Sequence, residues 1–271
     1  EQKIKLLRAD SLLSNFIWFL TKIWCAVAVR LMKHCTVLLV NNEEVKSFYE
    51  SYGISSKKLK VVPSAIDLRK FKRHLLSKEE AKEYLGLAHL KNVVIIGFVG
   101  ALRPEKNVET LVKAFGELMK SLSGVKVHLI IIGDGPMKPN LKKHVKEQGV
   151  DCYTSFLGYM PVAYGFLNAI DVFVLPSLSE GSPFSLLEAM ACGKAIIASD
   201  IPAIREIVED GKEALLFDPD NPHQLKNLML TLYNNPKLRK KLGENARRKA
   251  KQYDVNIIFR KITQVYNDIL V

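Results

Sequence analysis

The chain reads as an α/β protein built on a doubly wound parallel sheet, and three features of the sequence predict it. From about Asp67 onward, short apolar runs alternate with stretches of helical periodicity, the pitch of successive βαβ units. The apolar runs are nearly continuous, as strands buried on both faces must be. Several of them hand over to a Gly- or Pro-containing loop that opens into the next helix, which is where open α/β sheets bind their ligands.

Taken in order, Ser11 to Met32 reads as an apolar helix, with Lys22 and other polar residues interrupting it. A membrane span needs ~20 nearly unbroken apolar residues, so spanning is disfavoured. Packing against a domain core is the plain reading, and lying in a membrane interface with Trp18 and Trp24 buried is the sharper one. No small-residue cleavage site follows, and a chain opening on Glu1 with no strand before this helix is expected to start inside a longer protein. Thr36 to Val40 is a strand, Asn42 to Tyr52 a helix ending at Gly53, and Lys60 to Val62 a strand halted by Pro63. Further strands are predicted at Val93–Gly100, Val127–Ile132, Thr154–Leu157, Asp171–Leu175, Ala195–Ala198 and Ala214–Phe217, with helices between them. Ser185 to Cys192 is one of those helices, stopped by Gly193, and Asn221 to Val271 is expected to be helical throughout.

With 271 residues, 48% of them hydrophobic, the chain can bury one large core or two small ones. Its formal charge of +12 draws it to something acidic: a nucleotide diphosphate, anionic lipid headgroups, acidic glycans or nucleic acid. The basic clusters are Arg69-Lys70-Phe71-Lys72-Arg73 and Lys237 through Lys251, and most such runs are solvated faces. The latter has few interleaved aromatics and no reader motif, so nucleic acid is not expected as a partner. Cys25, Cys35, Cys152 and Cys192 form no Cys-x-x-Cys pair and no metal-ligand spacing with the histidines, which points to a reduced, cytoplasmic chain without zinc or disulfides. Cys192 reads as a small core residue rather than a nucleophile.

The most informative stretch is Glu180-Gly181-Ser182-Pro183-Phe184-Ser185-Leu186-Leu187-Glu188, between an apolar strand and a helix. Such a loop offers backbone N–H groups and the positive end of a helix dipole to an anion, and a diphosphate fits there. Glu188 has a rival explanation, because Ser185-x-x-Glu188 also satisfies the capping-box pattern. No Gly-x-Gly-x-x-Gly fingerprint is present, and no acidic residue stands where a dinucleotide ribose would need it, so a dehydrogenase is disfavoured.

The segment resembles the Glu-x7-Glu motif of retaining glycosyltransferases of family 4, which have the GT-B fold. Gly97-Phe98-Val99-Gly100-Ala101-Leu102-Arg103-Pro104-Glu105-Lys106-Asn107, Ile131-Ile132-Gly133-Asp134-Gly135-Pro136, Phe156-Leu157-Gly158 and Leu187-Glu188-Ala189-Met190-Ala191-Cys192-Gly193 occur in that family's order and spacing. The resemblance covers about residues 60 to 250 well and residues 34 to 54 more loosely. It implies a Rossmann-like donor domain over 67–252, an incomplete N-terminal Rossmann-like domain ending at residue 66 on the acceptor side, and a last helix, 253–271, crossing back to that N-terminal domain.

By the same resemblance, Lys106 holds the donor diphosphate, although a surface lysine at a helix start is the bland alternative. Arg103 assists it, where the family's usual arginine is replaced by Ala101. Gly100 permits a tight turn, a close phosphate approach, or both. Asp134 leans structural. Glu188 accepts from ribose hydroxyls and Glu180 lies near the transferred sugar. Gly181, Ser182 and Leu157 line the same site, and the N–H groups of Phe184, Ser185 and Leu186 hold sugar or phosphate oxygens. The implied activity is a hexosyltransferase-type step of glycan biosynthesis, with a UDP- or GDP-sugar as donor, no cofactor and no metal. A glycan or lipid-linked acceptor, a peripheral membrane contact and an N-terminal half supplied in cis or in trans complete the expectation. A non-catalytic nucleotide-sugar sensor and a GT-B sugar-nucleotide epimerase are the alternatives.

Overall fold

The computed structural model describes residues 27–270 except 123, 125 and 162–164. The chain divides into two compact units, 63–262 and the residues on either side of that span.

In the smaller unit, residues 27–32 are helical. A two-stranded parallel sheet pairs β1 (Leu38–Val40) with β2 (Leu59–Val61), and helix α1 (Glu43–Ser51) lies between them in sequence. Asn42 caps α1 by accepting from the Val45 N–H, and Gly53 takes the left-handed conformation just beyond its end, at φ +80°. Val40, Ile54 and Leu59 form its small core. The apolar helix expected from Ser11 lies, up to residue 26, outside the described residues.

The larger unit carries the six-stranded sheet: β3 (Val94–Val99), β4 (Val127–Ile132), β5 (Thr154–Gly158), β6 (Val172–Leu175), β7 (Ala195–Ser199) and β8 (Leu215–Phe217). All of its pairings are parallel and the spatial order is β5-β4-β3-β6-β7-β8. The first strand of the unit therefore sits centrally, and the chain grows outward from it first to one side and then to the other. The topological switch point falls between β3 and β6. The continuous apolar runs are buried as predicted: Ile95, Ile96, Phe98, Ile130, Ile131 and Phe173 are fully enclosed. Asp171, just before β6, fixes the central pair by accepting from the Ile95 N–H at 2.9 Å and holding Lys78 Nζ at 2.5 Å.

The connections are helical: α2 (Leu68–His74), α3 (Lys78–Tyr84), α4 (Val108–Ser121), α5 (Lys138–Glu147), α6 (Phe184–Ala191), α7 (Pro202–Arg205), α8 (Pro222–Asn234) and α9 (Pro236–Ala250), then α10 (Val255–Leu270). The tail is helical with two interruptions that the sequence reading ran through. Asn235 leaves the helical region to cap α9 ahead of Pro236, and a 3-10 turn at Lys251–Tyr253 precedes the extended Asp254. At Gly243 an added Cβ would stand 2.1 Å from the Gly193 carbonyl oxygen, so α9 rests directly on the turn that ends α6.

Candidate functional site

The loops at the carboxyl ends of β3, β4 and β5 interlock. The Gly100 N–H donates to the Ile132 carbonyl, Gly133 to Gly158 and Leu102 to Asp134, at 2.8–3.0 Å. Gly133 cannot be anything else, since a Cβ there would lie 1.8 Å from the Gly100 oxygen; at Gly135 the clash is with the Leu102 oxygen, at 2.5 Å. Asp134 is used within its own turn, accepting from the Gly135 N–H and pairing with Lys138, and Lys138 together with that N–H holds its carboxyl below the ordinary value. The Gly-Asp-Gly run is thus loop-packing chemistry. Gly100 gains a further role, because a Cβ there would press on the Phe98 ring at 3.0 Å.

Across the switch point, Lys106 and Glu180 meet. After β3 a 3-10 turn, Pro104–Lys106, ends at Asn107 in the left-handed conformation, φ +49°, which turns the chain into α4. Lys106 Nζ lies 2.7 Å from Glu180 Oε1, and the Ser177 hydroxyl donates to the same oxygen at 2.6 Å. The Leu178 N–H donates to the Glu105 carbonyl at 2.8 Å, stitching the two loops together. The Glu180 side chain is only 3% exposed and that of Lys106 22%, so the pair is a partly desolvated ion pair bridging the loops that follow β3 and β6. Arg103 stands outside it: its side chain is 65% exposed and reaches Glu105 at 4.0 Å.

Beyond Glu180, the Ser182 hydroxyl bonds that of Ser64. Helix α6 begins at Phe184 with Pro183 as its N-cap residue and no side-chain cap, so Ser185 lies inside the first turn. The capping-box explanation of Glu188 therefore fails. Glu188 is half-buried with no hydrogen-bond or ion-pair partner among the described residues, and burial pushes its carboxyl up to about 7. The expectation of three open N–H groups is corrected to one. Pro183 starts the helix early enough that Phe184 donates back to Ser182 and Leu186 to Pro183, leaving Ser185 as the donor of the three without a backbone partner among the described residues. Gly181 is exposed, and Leu157 is half-buried near the end of β5. Cys192 is a core residue as read, its thiol pushed up to about 12 by burial.

Sequence reasoning placed Lys106 and Glu180 on one ligand but missed that they bind each other, and it missed Ser177 and the contact of Ser64 with Ser182. The available signal was positional: residues at the carboxyl ends of strands adjacent across a switch point face a common crevice.

Fold and loops together define a doubly wound α/β domain with the Lys106–Glu180 pair at its switch point. Residues 78–249 match the family model for glycosyl transferases group 1, and the chain belongs to that family. It is 33% identical over 175 residues to an uncharacterized glycosyltransferase of Methanocaldococcus jannaschii, covering 64% of this chain and 47% of the relative. It is 29% identical over 231 residues to the N,N'-diacetylbacillosaminyl-diphospho-undecaprenol alpha-1,3-N-acetylgalactosaminyltransferase of Campylobacter jejuni, covering 84% of this chain and 59% of that enzyme. Among solved structures, Anabaena HepE in complex with UDP-glucose superposes with a TM-score of 0.80 at 22% identity, over 89% of this chain and 66% of that one. The fold is thus of the GT-B type, α/β with a Rossmann-like parallel sheet. The chain spans roughly half to two thirds of the length of these proteins.

Proposed function

We propose that this chain is the donor-binding half of a retaining, family 4 glycosyltransferase that moves a sugar from a UDP- or GDP-sugar to a glycan or lipid-linked acceptor. The observation that carries the reading is the Lys106–Glu180 pair at the switch point, with the unpartnered carboxyl of Glu188 eight residues on along the same loop and helix. The undecaprenol-linked substrate in the name of the Campylobacter relative and the UDP-glucose of the HepE complex support the substrate classes.

Each residue then has a task. Breaking the sugar–phosphate bond leaves a diphosphate whose charge fixed donors must stabilise. Lys106, the Ser185 N–H with the α6 dipole behind it, and the exposed fork of Arg103 supply that stabilisation. Glu188 accepts from the ribose hydroxyls, which favours its ionised form and fixes the nucleotide. Glu180, held by Lys106 and Ser177, orients the transferred sugar. In the retaining step the acceptor hydroxyl attacks from the face the phosphate leaves, the new glycosidic bond forms as the sugar–phosphate bond breaks, and the hydroxyl proton passes to the departing phosphate oxygen. No metal is assigned to the step.

The test is thermal unfolding of the chain with UDP, GDP and ADP. A ligand that binds only the folded state at about a hundred times its Kd stabilises by ~2.7 kcal/mol, several degrees in Tm for a domain of this size. An unmoved melting curve with all three nucleotides refutes the donor site.

A further inference from the structure

The two basic runs singled out in the sequence, 69–73 and 237–251, belong to different ends of the larger unit, yet the fold brings them to one cavity. Ile66 is clamped to the extended Asp254 between the 3-10 turn and α10: its N–H donates to the Tyr253 carbonyl and its carbonyl accepts from the Val255 N–H, both at 2.9 Å. That bridge sets α2 beside the end of α9, and the Gly243–Gly193 contact sets α9 against the end of α6. The three elements enclose a cavity of about 820 Å³, within the usual size of small-ligand sites.

Its lining is two-sided. Leu68, Phe71, Leu75 and Ala191 give it apolar walls. Arg69, Lys72, Arg247, Arg248 and Lys251 also line it and are all exposed. Among the described residues none of these five makes a close ion pair with a carboxylate: Arg69, which also acts electrostatically on Asp254, donates to the Asn256 amide oxygen, Arg248 to that of Asn245, and Glu244, the one acid on the lining, reaches Lys240. Ala191 is the last residue of α6, whose first turn faces the donor crevice, so the cavity lies about one eight-residue helix, ~12 Å, from the diphosphate end. It is a separate place.

Cations grouped around an apolar recess match one ligand chemistry, a phosphodiester headgroup with its hydrocarbon attached. Arg forks engage phosphate oxygens in pairs, while the stems of Lys and Arg lie along apolar surface. We propose that this cavity docks the chain on a membrane bearing anionic phospholipid, the lipid phosphate seated among Arg69, Lys72, Arg247, Arg248 and Lys251 and the start of its chains against Leu68, Phe71 and Leu75. The proposal stands apart from the donor site and survives the failure of that reading.

The experiment is co-sedimentation of the full chain with vesicles of phosphatidylcholine alone and of phosphatidylcholine and phosphatidylglycerol in equal amounts. Binding is expected to the second only. Each basic residue near an anionic surface contributes about fivefold in affinity, so Arg247→Gln with Lys251→Gln lowers it roughly 25-fold, whereas Lys143→Gln with Lys146→Gln on α5 leaves most of it. Leu75→Ser, which keeps every cation, weakens binding too. Equal losses in the two double variants, an unchanged affinity in Leu75→Ser, no binding to either vesicle, or displacement from vesicles by a single-stranded oligonucleotide at matched charge would each overturn the assignment, the last in favour of a general polyanion site.

Discussion

Replacing Glu188 by glutamine gives the sharpest test of the site, because a buried, unpartnered carboxyl and a structurally bonded one predict opposite changes. In the folded protein burial lifts the Glu188 carboxyl from 4.5 to about 7. Below pH 4.5 folded and unfolded chains both hold the proton, and the residue costs nothing. As the pH rises through 7 the unfolded chain ionises first, and the folded state loses stability by roughly 1.4 kcal/mol per pKa unit, about 3 kcal/mol in all. Water reaching the half-buried carboxyl makes that figure a ceiling. Glutamine copies the protonated form at every pH. Glu188→Gln should therefore melt with the parent protein near pH 4.5 and several degrees above it, at most ~6–12 °C, at pH 8. Scanning calorimetry over that range measures it. Nucleoside diphosphate binding should at the same time lose its preference for ribose over deoxyribose, and binding to the parent protein at pH 7 should release protons, because ribose hydroxyls donate to the ionised carboxylate. Melting curves that differ by the same amount at all pH values, or a variant less stable at pH 8, would refute the reasoning and return Glu188 to a structural role.

Three further outcomes follow from the same geometry. Lys106→Ala leaves the enclosed Glu180 with Ser177 alone and should cost roughly 3 kcal/mol in urea unfolding, at the low end for a broken buried pair because Lys106 is partly exposed, while Lys106→Ala with Glu180→Gln should recover most of it; losses that simply add would show that the two do not interact. Gly243→Ala would put a methyl group 2.1 Å from the Gly193 oxygen and should destabilise by about 1–3 kcal/mol despite alanine's better helix propensity, and a neutral effect by thermal unfolding would contradict the close contact of α9 with α6. The chain alone should bind a labelled donor yet transfer no sugar to a panel of acceptors, since the positioning of the second substrate supplies much of such a rate, and robust transfer would mean that a complete acceptor site lies within these residues.

The fold was legible because its strands are buried on both faces: the runs at Val127–Ile132 and Val172–Leu175 are continuous β-rich apolar segments with few other uses. Strand ends were less legible, as at β1, where Thr36 and Val37 stay outside the ladder that Leu38 opens. Glu180 and Glu188 could be found from local spacing. Their surroundings could not. The Lys106 partner lies 74 residues away and depends on which strands are adjacent, information carried by the sheet order rather than by either motif. The N–H accounting of α6 turned on where the helix begins, and Ser185 suggested a side-chain cap, whereas the N-cap position falls on Pro183, which has none. Nothing local in the sequence showed that Gly133 and Gly135 are required both by their positive φ, +142° and +156°, and by the approach of a neighbouring loop.

The choice of lysine at position 106 has a physical logic that the pair makes visible. A cation waiting in a half-closed crevice for a diphosphate would be an uncompensated, partly desolvated charge, and the same holds for a carboxylate waiting for a sugar. Paired, each neutralises the other, and on the proposed reading does so until the donor arrives. The ammonium group carries three donors, of which Glu180 uses one, so a diphosphate can be met without breaking the contact that holds Glu180. The incoming charge then strengthens the network instead of competing with it. A guanidinium has donors enough for both partners, but they lie in one plane at the end of a longer side chain, so arginine could not hold its charge where the compact ammonium sits 2.7 Å from Glu180. On the proposed reading Lys106→Arg keeps the charge and should still weaken nucleoside diphosphate binding in calorimetry, because the head is displaced from Glu180; unchanged binding would refute the need for a compact head.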